Sequence, residues 1–405
     1  MKKKFYALFF VAILWLCLGK LSQRCRLPVP SAPNPAAQNL SPNSSKNSPR
    51  DVSGSIHFHT IYSDGSGDIP QIIRAANQNK LDFLIVTDHG AEPKKHIAEN
   101  FYDEGSGQGK SESESGRKIL LLAGSELGSE ELGREEGGHY LVFDKMQILA
   151  HPFHPLIPWK NLSQLDAFNG IEIYTGSTIL QRAMVHVFPL LWAAIFYPFN
   201  PDYAILSICK IPERELDLWN KMSRTKPVVG IVSTDAHAKI ILWKSSNKIL
   251  RFPSYRMAFK TLKNHLLLDR PLQEMPFEEA KNSVYEAIAQ GHFYSSLDFL
   301  LDPSGFNFSA IQNEKEFPMG CEIQVSSSSA IVLQAHLGAL VPQVPKVIRL
   351  LRNGREIFRT PEDELQLEVK NSGNYRIEVY LEIPNAFGRR QRYLWIISNS
   401  IRILD

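Results

Sequence analysis

Five apolar runs in the first 240 residues end in side chains able to bind a metal ion. GSIHFHT runs into His57 and His59, DFLIVTDHG into His89, KILLLAGSEL into Glu126, MQILAHP into His151, and VVGIVSTDAH into Asp235 and His237. Short apolar runs, several of them separated by helix-compatible segments, predict buried parallel strands in an α/β architecture, with a barrel as the natural candidate. A barrel brings the carboxyl ends of its strands to one face, where chemistry collects in such folds. Ligands spread over about 180 residues can therefore meet in one pocket.

Asp64 and His139 complete a candidate set of six imidazoles and three carboxylates, with no thiolate among them. Imidazole and carboxylate suit zinc, manganese or iron, whereas a calcium site would be dominated by oxygen and a structural zinc site would usually contain cysteine. Nine ligands exceed what one tetrahedral ion can use, so two or three divalent metal ions with open positions are expected. Two ions about 3.5–4 Å apart can lower the pKa of a bound water and stabilise both attacking and leaving oxygens. Glu126 and Asp235 are the expected catalytic residues, bridging the metals or orienting a metal-bridging hydroxide.

His57-Phe58-His59, Ser63-Asp64-Gly65, Thr87-Asp88-His89, Gly124-Ser125-Glu126, His139, Ala150-His151-Pro152 and Thr234-Asp235-Ala236-His237 follow one another in an order that resembles the motif series of the PHP (polymerase and histidinol phosphatase) superfamily. That resemblance implies a distorted (β/α)7 barrel with a multinuclear metal centre. It extends through Pro253-Ser254-Tyr255, Phe259, His265, the run from Val284 to Tyr294 and Gly305-Phe306, which resemble the branch containing carbaryl hydrolase. Carried over, it implies that His57, His59 and Asp235 hold a first ion, which Glu126 bridges to a second on His139 and His151. Asp64, His89 and His237 would hold a third. His154, three residues beyond His151, is the alternative to it.

Taken singly, each motif has an ordinary explanation. A His-x-His pair lies on one face of any strand, Glu126 could be a solvent-exposed residue before a polar loop, and His139 a satisfied strand-edge histidine. The joint order is what points to a metal centre. His96, His186, His265, His292 and His336 are expected to be surface or packed histidines. Substrate contacts are sought in Glu172 and Tyr174, which end the run GIEIYTG, and in Arg182, Lys239 and His154. Arginine binds phosphate through a planar fork; a plain surface cation is the competing reading. No Gly-rich phosphate loop, Ser-His-Asp spacing or dinucleotide fingerprint is present.

The division expected is an amino-terminal signal peptide or membrane anchor over 1–26, a disordered Pro/Ser/Asn-rich linker over 27–52, the PHP barrel over 53–302 and an antiparallel β-sandwich over 303–405. Lys2 to Lys4 precede an apolar stretch from Phe5 to Gly19. That length suits a secretory h-region or a short anchor better than a full span, which needs about 20 apolar residues. An exported, membrane-anchored location follows as an expectation. The polar tract Asp103 to Arg117 reads as a solvated loop, and the four cysteines do not make a disulfide framework. The apolar segment Val187 to Phe199 is expected to be buried in the helical layer, with a membrane-dipping or substrate-facing insertion as the alternative. After it, strand-like runs from Ala330 to Ile397 are punctuated by turn signals at Asn353-Gly354 and Ser372-Gly373-Asn374. The module they form is expected to pack on the barrel and shape the pocket rim, or to bind carbohydrate or a partner.

A net charge of +3 gives no cause to invoke nucleic acid. The expected function is metal-dependent hydrolysis of a small-molecule phosphoester. A carbamate, ester or amide hydrolase on the same metals is one alternative; a surface binding protein with structural metals is the other.

Overall fold

The computed structural model describes residues 49–90, 96–103, 117–133, 137–162, 165–243, 248–250, 252–325, 330–338, 344–385 and 387–405. The amino-terminal segment, nearly all of the linker and most of the polar tract after Asp103 lie outside the described residues.

Each of the five apolar runs is a strand: Arg50–Ile56, Phe83–Val86, Ile119–Ala123, Met146–Ala150 and Val229–Ser233. The first three pair in parallel, and Met146–Ala150, Gly170–Thr175 and Val229–Ser233 form a second parallel set. Phe83–Val86, Ile119–Ala123 and Val229–Ser233 are buried at every position, because both faces are covered and neither can be polar.

The expectation of parallel pairing holds only in part. Ser125–Gly128, His139–Phe143 and Met146–Ala150 form an antiparallel meander. Only two residues, Asp144 and Lys145, join its last two strands, and a connection that short permits no crossover. Lys263–Leu268 runs antiparallel to both Arg50–Ile56 and Phe293–Ser296. The helices are also unevenly placed. The helix Ile69–Gln78 is capped by the Asp68 carboxylate, which accepts from Gln71 N at 2.8 Å. Four helices, Gly176–Val185, Val187–Phe196, Pro201–Ile208 and Glu213–Met222, all fall between Gly170–Thr175 and Val229–Ser233.

Two single bridges join the parallel sets, Phe58 to Ala236 and His89 to Glu126, and both lie among the candidate ligands. Away from the ligands the seam is closed by asparagine side chains. Buried Asn264 accepts from Val232 N at 3.2 Å and donates to Val232 O at 2.8 Å, taking the place of a strand neighbour. Asn399 does the same for Gly230 N at 2.9 Å.

The carboxyl-terminal strands Ile331–His336, Lys346–Arg352, Arg355–Thr360, Glu364–Val369, Gly373–Pro384 and Arg390–Ser398 occupy the predicted runs. Asn353 and Gly354, with φ of 51° and 79°, make the predicted tight hairpin turn. Lys315–Pro318, Asn307–Gln312, Ile331–His336 and Glu364–Val369 form a four-stranded antiparallel sheet. The other layer is not separate from the first part of the chain, because Arg390–Ser398 pairs with Phe293–Ser296 and one sheet runs through both regions. A single apolar cluster likewise extends from Tyr140 and Trp219 to Trp395 and Ile403.

Burial of the whole apolar segment after Val187 is corrected. Phe196 is fully buried, but Phe188 is 86% and Leu191 54% exposed. Pro189 sits in the first turn of its helix, where backbone N–H groups have no intrahelical partner to lose.

Candidate metal centre

All nine candidate ligands converge at the ends of their strands. Glu126 is the hub. Its Oε2 lies 3.3 Å from His57 Nε2, 3.1 Å from His59 Nε2 and 3.3 Å from His89 Nδ1. Its Oε1 lies 2.9 Å from both His139 Nδ1 and His151 Nε2. Asp235 Oδ1 faces His57 Nε2 at 3.4 Å and His59 Nε2 at 3.2 Å. Asp64 meets His237 Nε2 at 3.1 Å, His59 Nδ1 at 3.6 Å and His89 Nε2 at 3.8 Å.

Three groups have donor atoms close enough to share an ion: His57, His59, Glu126 and Asp235; His89, Glu126 and His139; and His59, Asp64, His89 and His237. The first contains the trio implied for the first ion. His59 and His89 each stand in two groups, and His151 approaches the second through its contact with Glu126. His154 is in none of them.

The residues fit a divalent ion on two independent grounds. His57 Nε2, His59 Nε2 and Asp235 Oδ1 are buried with no hydrogen-bond partner, an arrangement that costs about 1–3 kcal/mol per group unless something else satisfies it. The four measured edges between the two imidazole nitrogens and the carboxylate oxygens of the first group run from 3.1 to 3.4 Å. A tetrahedral ion with bonds of about 2.0–2.1 Å separates its ligand atoms by roughly 3.3–3.4 Å.

The electrostatics agree. Burial pulls the His57 imidazole down, but the Glu172, Asp235 and Glu126 carboxylates outweigh it and hold the group well above the usual histidine range. Burial opposes protonation of His59 too, yet Asp235 and Glu126 raise it to about 9. Desolvation raises Glu126 and Asp235, and the histidines around them overcome it, so both stay well below the ordinary carboxylate range. Carboxylates this closely packed require positive charge, from protons or from metal ions.

The backbone is strained where it delivers these groups. His57, His151 and Asp235 have φ of 63°, 26° and 44°, a region costing a non-glycine residue of order 1–3 kcal/mol and met mostly at functional sites. Supporting bonds hold them there. Asp88, the middle residue of Thr87-Asp88-His89, is buried and binds no histidine. It accepts from Thr60 N at 2.7 Å, from Thr60 Oγ1 at 2.6 Å and from the Ser63 hydroxyl, pinning the loop that carries Asp64. Tyr255 Oη donates to His59 O at 2.7 Å and accepts from Gly67 N at 3.1 Å. A Cβ on Gly65 would lie 2.3 Å from the same carbonyl oxygen, so glycine is required there. Sequence reasoning missed the parts played by Asp88, Tyr255 and Ser177, whose hydroxyl donates to Asp235. In the sequence Asp88 adjoins a ligand and Tyr255 belongs to the Pro253-Ser254-Tyr255 resemblance, whereas Ser177 carries no signal.

Two expected substrate contacts are corrected. Glu172 is fully buried behind the metal groups. Its Oε1 sits 2.6 Å from His57 Nδ1, and its Oε2 accepts from His151 N at 2.8 Å and Thr175 Oγ1 at 3.2 Å. Its hydrogen bonds go to two candidate ligands, His57 and His151. Arg182 points to Glu215 Oε1 at 2.5 Å, and a carboxylate already neutralises it; with Glu172, Tyr174 and His151 it lines a small cavity of about 30 Å³ and not the larger one beside the metal groups. Tyr174 is buried and also absent from the lining of the larger cavity.

His154 does line the cavity. Its Nδ1 accepts from Leu156 N and Ile157 N, both at 3.3 Å, which leaves the proton on Nε2. Burial first, then the neighbouring His151, lowers it to about 4, so it is neutral near pH 7. The cavity measures about 490 Å³, and the metal groups share its lining with Ile179, Leu180, Ile205, Ile208, Phe252 and Met257. Lys239 is the one lysine or arginine among the described lining residues. Among the described residues none beyond Leu262 lines it, so the described part of the carboxyl-terminal module packs on the first region without shaping this pocket.

No curated protein matches the chain significantly. Among solved structures it is similar to a two-domain protein from Bacteroides vulgatus containing a predicted PHP-like metal-dependent phosphoesterase, with 12% identity and a TM-score of 0.36, over 89% of this chain and 97% of that one. That likeness is too distant for fold or activity to follow from it. Residues 55–184 match the sequence model of the PHP domain; the stretch contains His57, His59, Asp64, His89, Glu126, His139 and His151, while Asp235 and His237 join them through the fold. About a third of the chain is thus similar to the PHP domain.

Proposed function

We propose that this protein is a metal-dependent hydrolase that cleaves a phosphoester at the Glu126 cluster, within a distorted (β/α)7 barrel. The observation that carries the reading is Glu126 itself, each carboxylate oxygen faced by different histidines, beside three buried donor atoms that nothing else satisfies. Two or three zinc, manganese or iron ions would be held by the nine ligands, supplying Lewis acidity and lowering the pKa of water toward neutrality.

The chain's own contribution is orientation and proton placement. Glu172 accepts from His57 Nδ1, which turns the Nε2 lone pair toward Glu126 and Asp235. Ser177 engages one Asp235 oxygen and leaves Oδ1 for the histidines. His154 offers its Nε2–H as a hydrogen-bond donor to a substrate or leaving-group oxygen without giving up the proton, and Lys239 opposes negative charge. His89, at 39% exposure, and His139, at 26%, open the centre to the cavity, as catalysis requires and a closed structural site does not.

The apolar wall and single lysine also support a second reading, hydrolysis of a carbamate or carboxylic ester, in line with the resemblance to the carbaryl-hydrolase branch. A panel of chromogenic phosphomonoester, phosphodiester and carbamate, assayed beside elemental analysis of the same sample, separates the two. Two or three metals per chain, with turnover lost in Asp235→Asn, are expected. Full turnover by a folded, metal-replete Asp235→Asn enzyme would sink the assignment. The composition of residues 1–48 supports an exported, tethered location; an alkaline phosphatase fusion that stays inactive would remove it.

A further inference from the structure

Between Arg182 and Asp202 the chain has no lysine, arginine, aspartate or glutamate. That stretch forms the last three residues of the helix Gly176–Val185 and all of Val187–Phe196, and the two helices meet at an elbow of 114°. Among the described residues no single helix is long and apolar enough to cross a membrane. Each of these is only about 15 Å long, half the hydrocarbon thickness of a bilayer. They are also poorly covered: Met184, Val185, Phe188 and Leu191 are 39%, 63%, 86% and 54% exposed. Leu156 and Ile157, 68% and 39% exposed, continue the apolar surface on the loop after His154. Met184 and Ile157 belong both to this surface and to the lining of the metal cavity. The uncharged surface is thus continuous with the cavity wall, and it is the kind that marks an interaction site.

We propose that this helix elbow docks on a lipid bilayer and seats the mouth of the metal cavity there, so that the centre draws amphiphilic substrates from the membrane. Three observations select a bilayer over a protein partner. Residues 183–201 carry none of the lysines, arginines, aspartates or glutamates that fix the register of a protein interface. The second helix is apolar on all sides, and the bent pair, each member too short to span, can enter a bilayer from one side only. Finally, the chain outside the described residues contains the basic and apolar stretch Lys2 to Gly19, followed by the polar segment 27–48. Arg50–Ile56 enters the fold at the end away from the ligands and is about 23 Å long. The segment 27–48 can reach at most roughly 75 Å, enough for a tethered chain to turn its ligand face to the membrane.

The docking half of the proposal is independent of chemistry; the substrate half rests on the hydrolase reading. Hydrogen exchange on the full chain, held either in phosphatidylcholine vesicles or in amphipol, tests docking. Amides of 184–196 should exchange at least tenfold more slowly in vesicles, with the remote strand Arg355–Thr360 unchanged. Equal exchange in both states overturns docking, as does protection that grows with the number of chains per vesicle, which would assign the face to a second copy. For the substrate half, Phe188→Glu/Leu191→Glu should lose at least tenfold in kcat/KM on a long-chain ester embedded in vesicles relative to its short-chain soluble analogue. Equal losses on both overturn it. Wild-type inactivity on both substrates would instead overturn the hydrolase reading while the exchange result stands.

Discussion

Glu172 shows how a site residue can be recognised in sequence and given the wrong role. GIEIYTG ends an apolar run, so its carboxylate was expected near the pocket; it is near, but fully buried against His57 and His151. Glu172→Gln should therefore lower metal affinity by about 10–100-fold, measured by competition with a chelating dye, and leave the relative rates on different substrates unchanged. Changed substrate preference at full metal occupancy would restore the contact role. Arg182 makes the same point, since Arg182→Ala removes the partner of buried Glu215. It should reduce stability in urea, with KM little altered. Metal content belongs to this scale too. The ligand imidazoles must be neutral, and those of His57 and His59 favour protons in the ion-free site, so bound metal should fall as pH is lowered from 8 to 5. Constant metal content after dialysis across that range would contradict the histidine-rich centre.

At the level of elements, strand positions were legible because a strand buried on both faces must be apolar throughout, and the ligand side chains mark where it stops. Pairing direction was not legible, since periodicity says nothing about the neighbour. The antiparallel meander around His139 is set by a two-residue connection. The seam between the parallel sets depends on Asn264, whose side chain pairs with both polar groups of Val232. Asn264→Leu leaves those groups buried and unpaired, and should cost about 2–5 kcal/mol from two lost partners, read from the midpoint of chemical denaturation. A loss below 1 kcal/mol would mean that the seam closes without it.

For the molecule as a whole, the continuous sheet and shared apolar cluster join 53–302 to 303–405, and the two are expected to unfold together. A chain ended at residue 302 exposes Tyr294, Leu297 and Phe299 and should show no sharp thermal transition; a cooperative melt would make the boundary a true domain limit. His265 joins the first strand to this core. It is buried between Asp51 at 2.8 Å and Asp298 at 2.9 Å. Burial works against its charge, yet Asp298 and Asp51 raise it to about 10. Its folded pKa exceeds the unfolded value of about 6.5, so its contribution is complete below pH 6.5 and is lost as pH rises toward 10. Thermal stability should decline over that window in the wild type and less steeply in His265→Gln. Parallel declines would remove His265 as the cause. The candidate ligands, their order and the strands that end in them were readable in the chain, because apolar burial and metal chemistry restrict residue type locally. Which carboxylate faces five imidazoles, which one lies buried behind them, which arginine is already paired and which apolar helix stays uncovered emerged only in the fold, because those depend on distances between residues far apart in the chain.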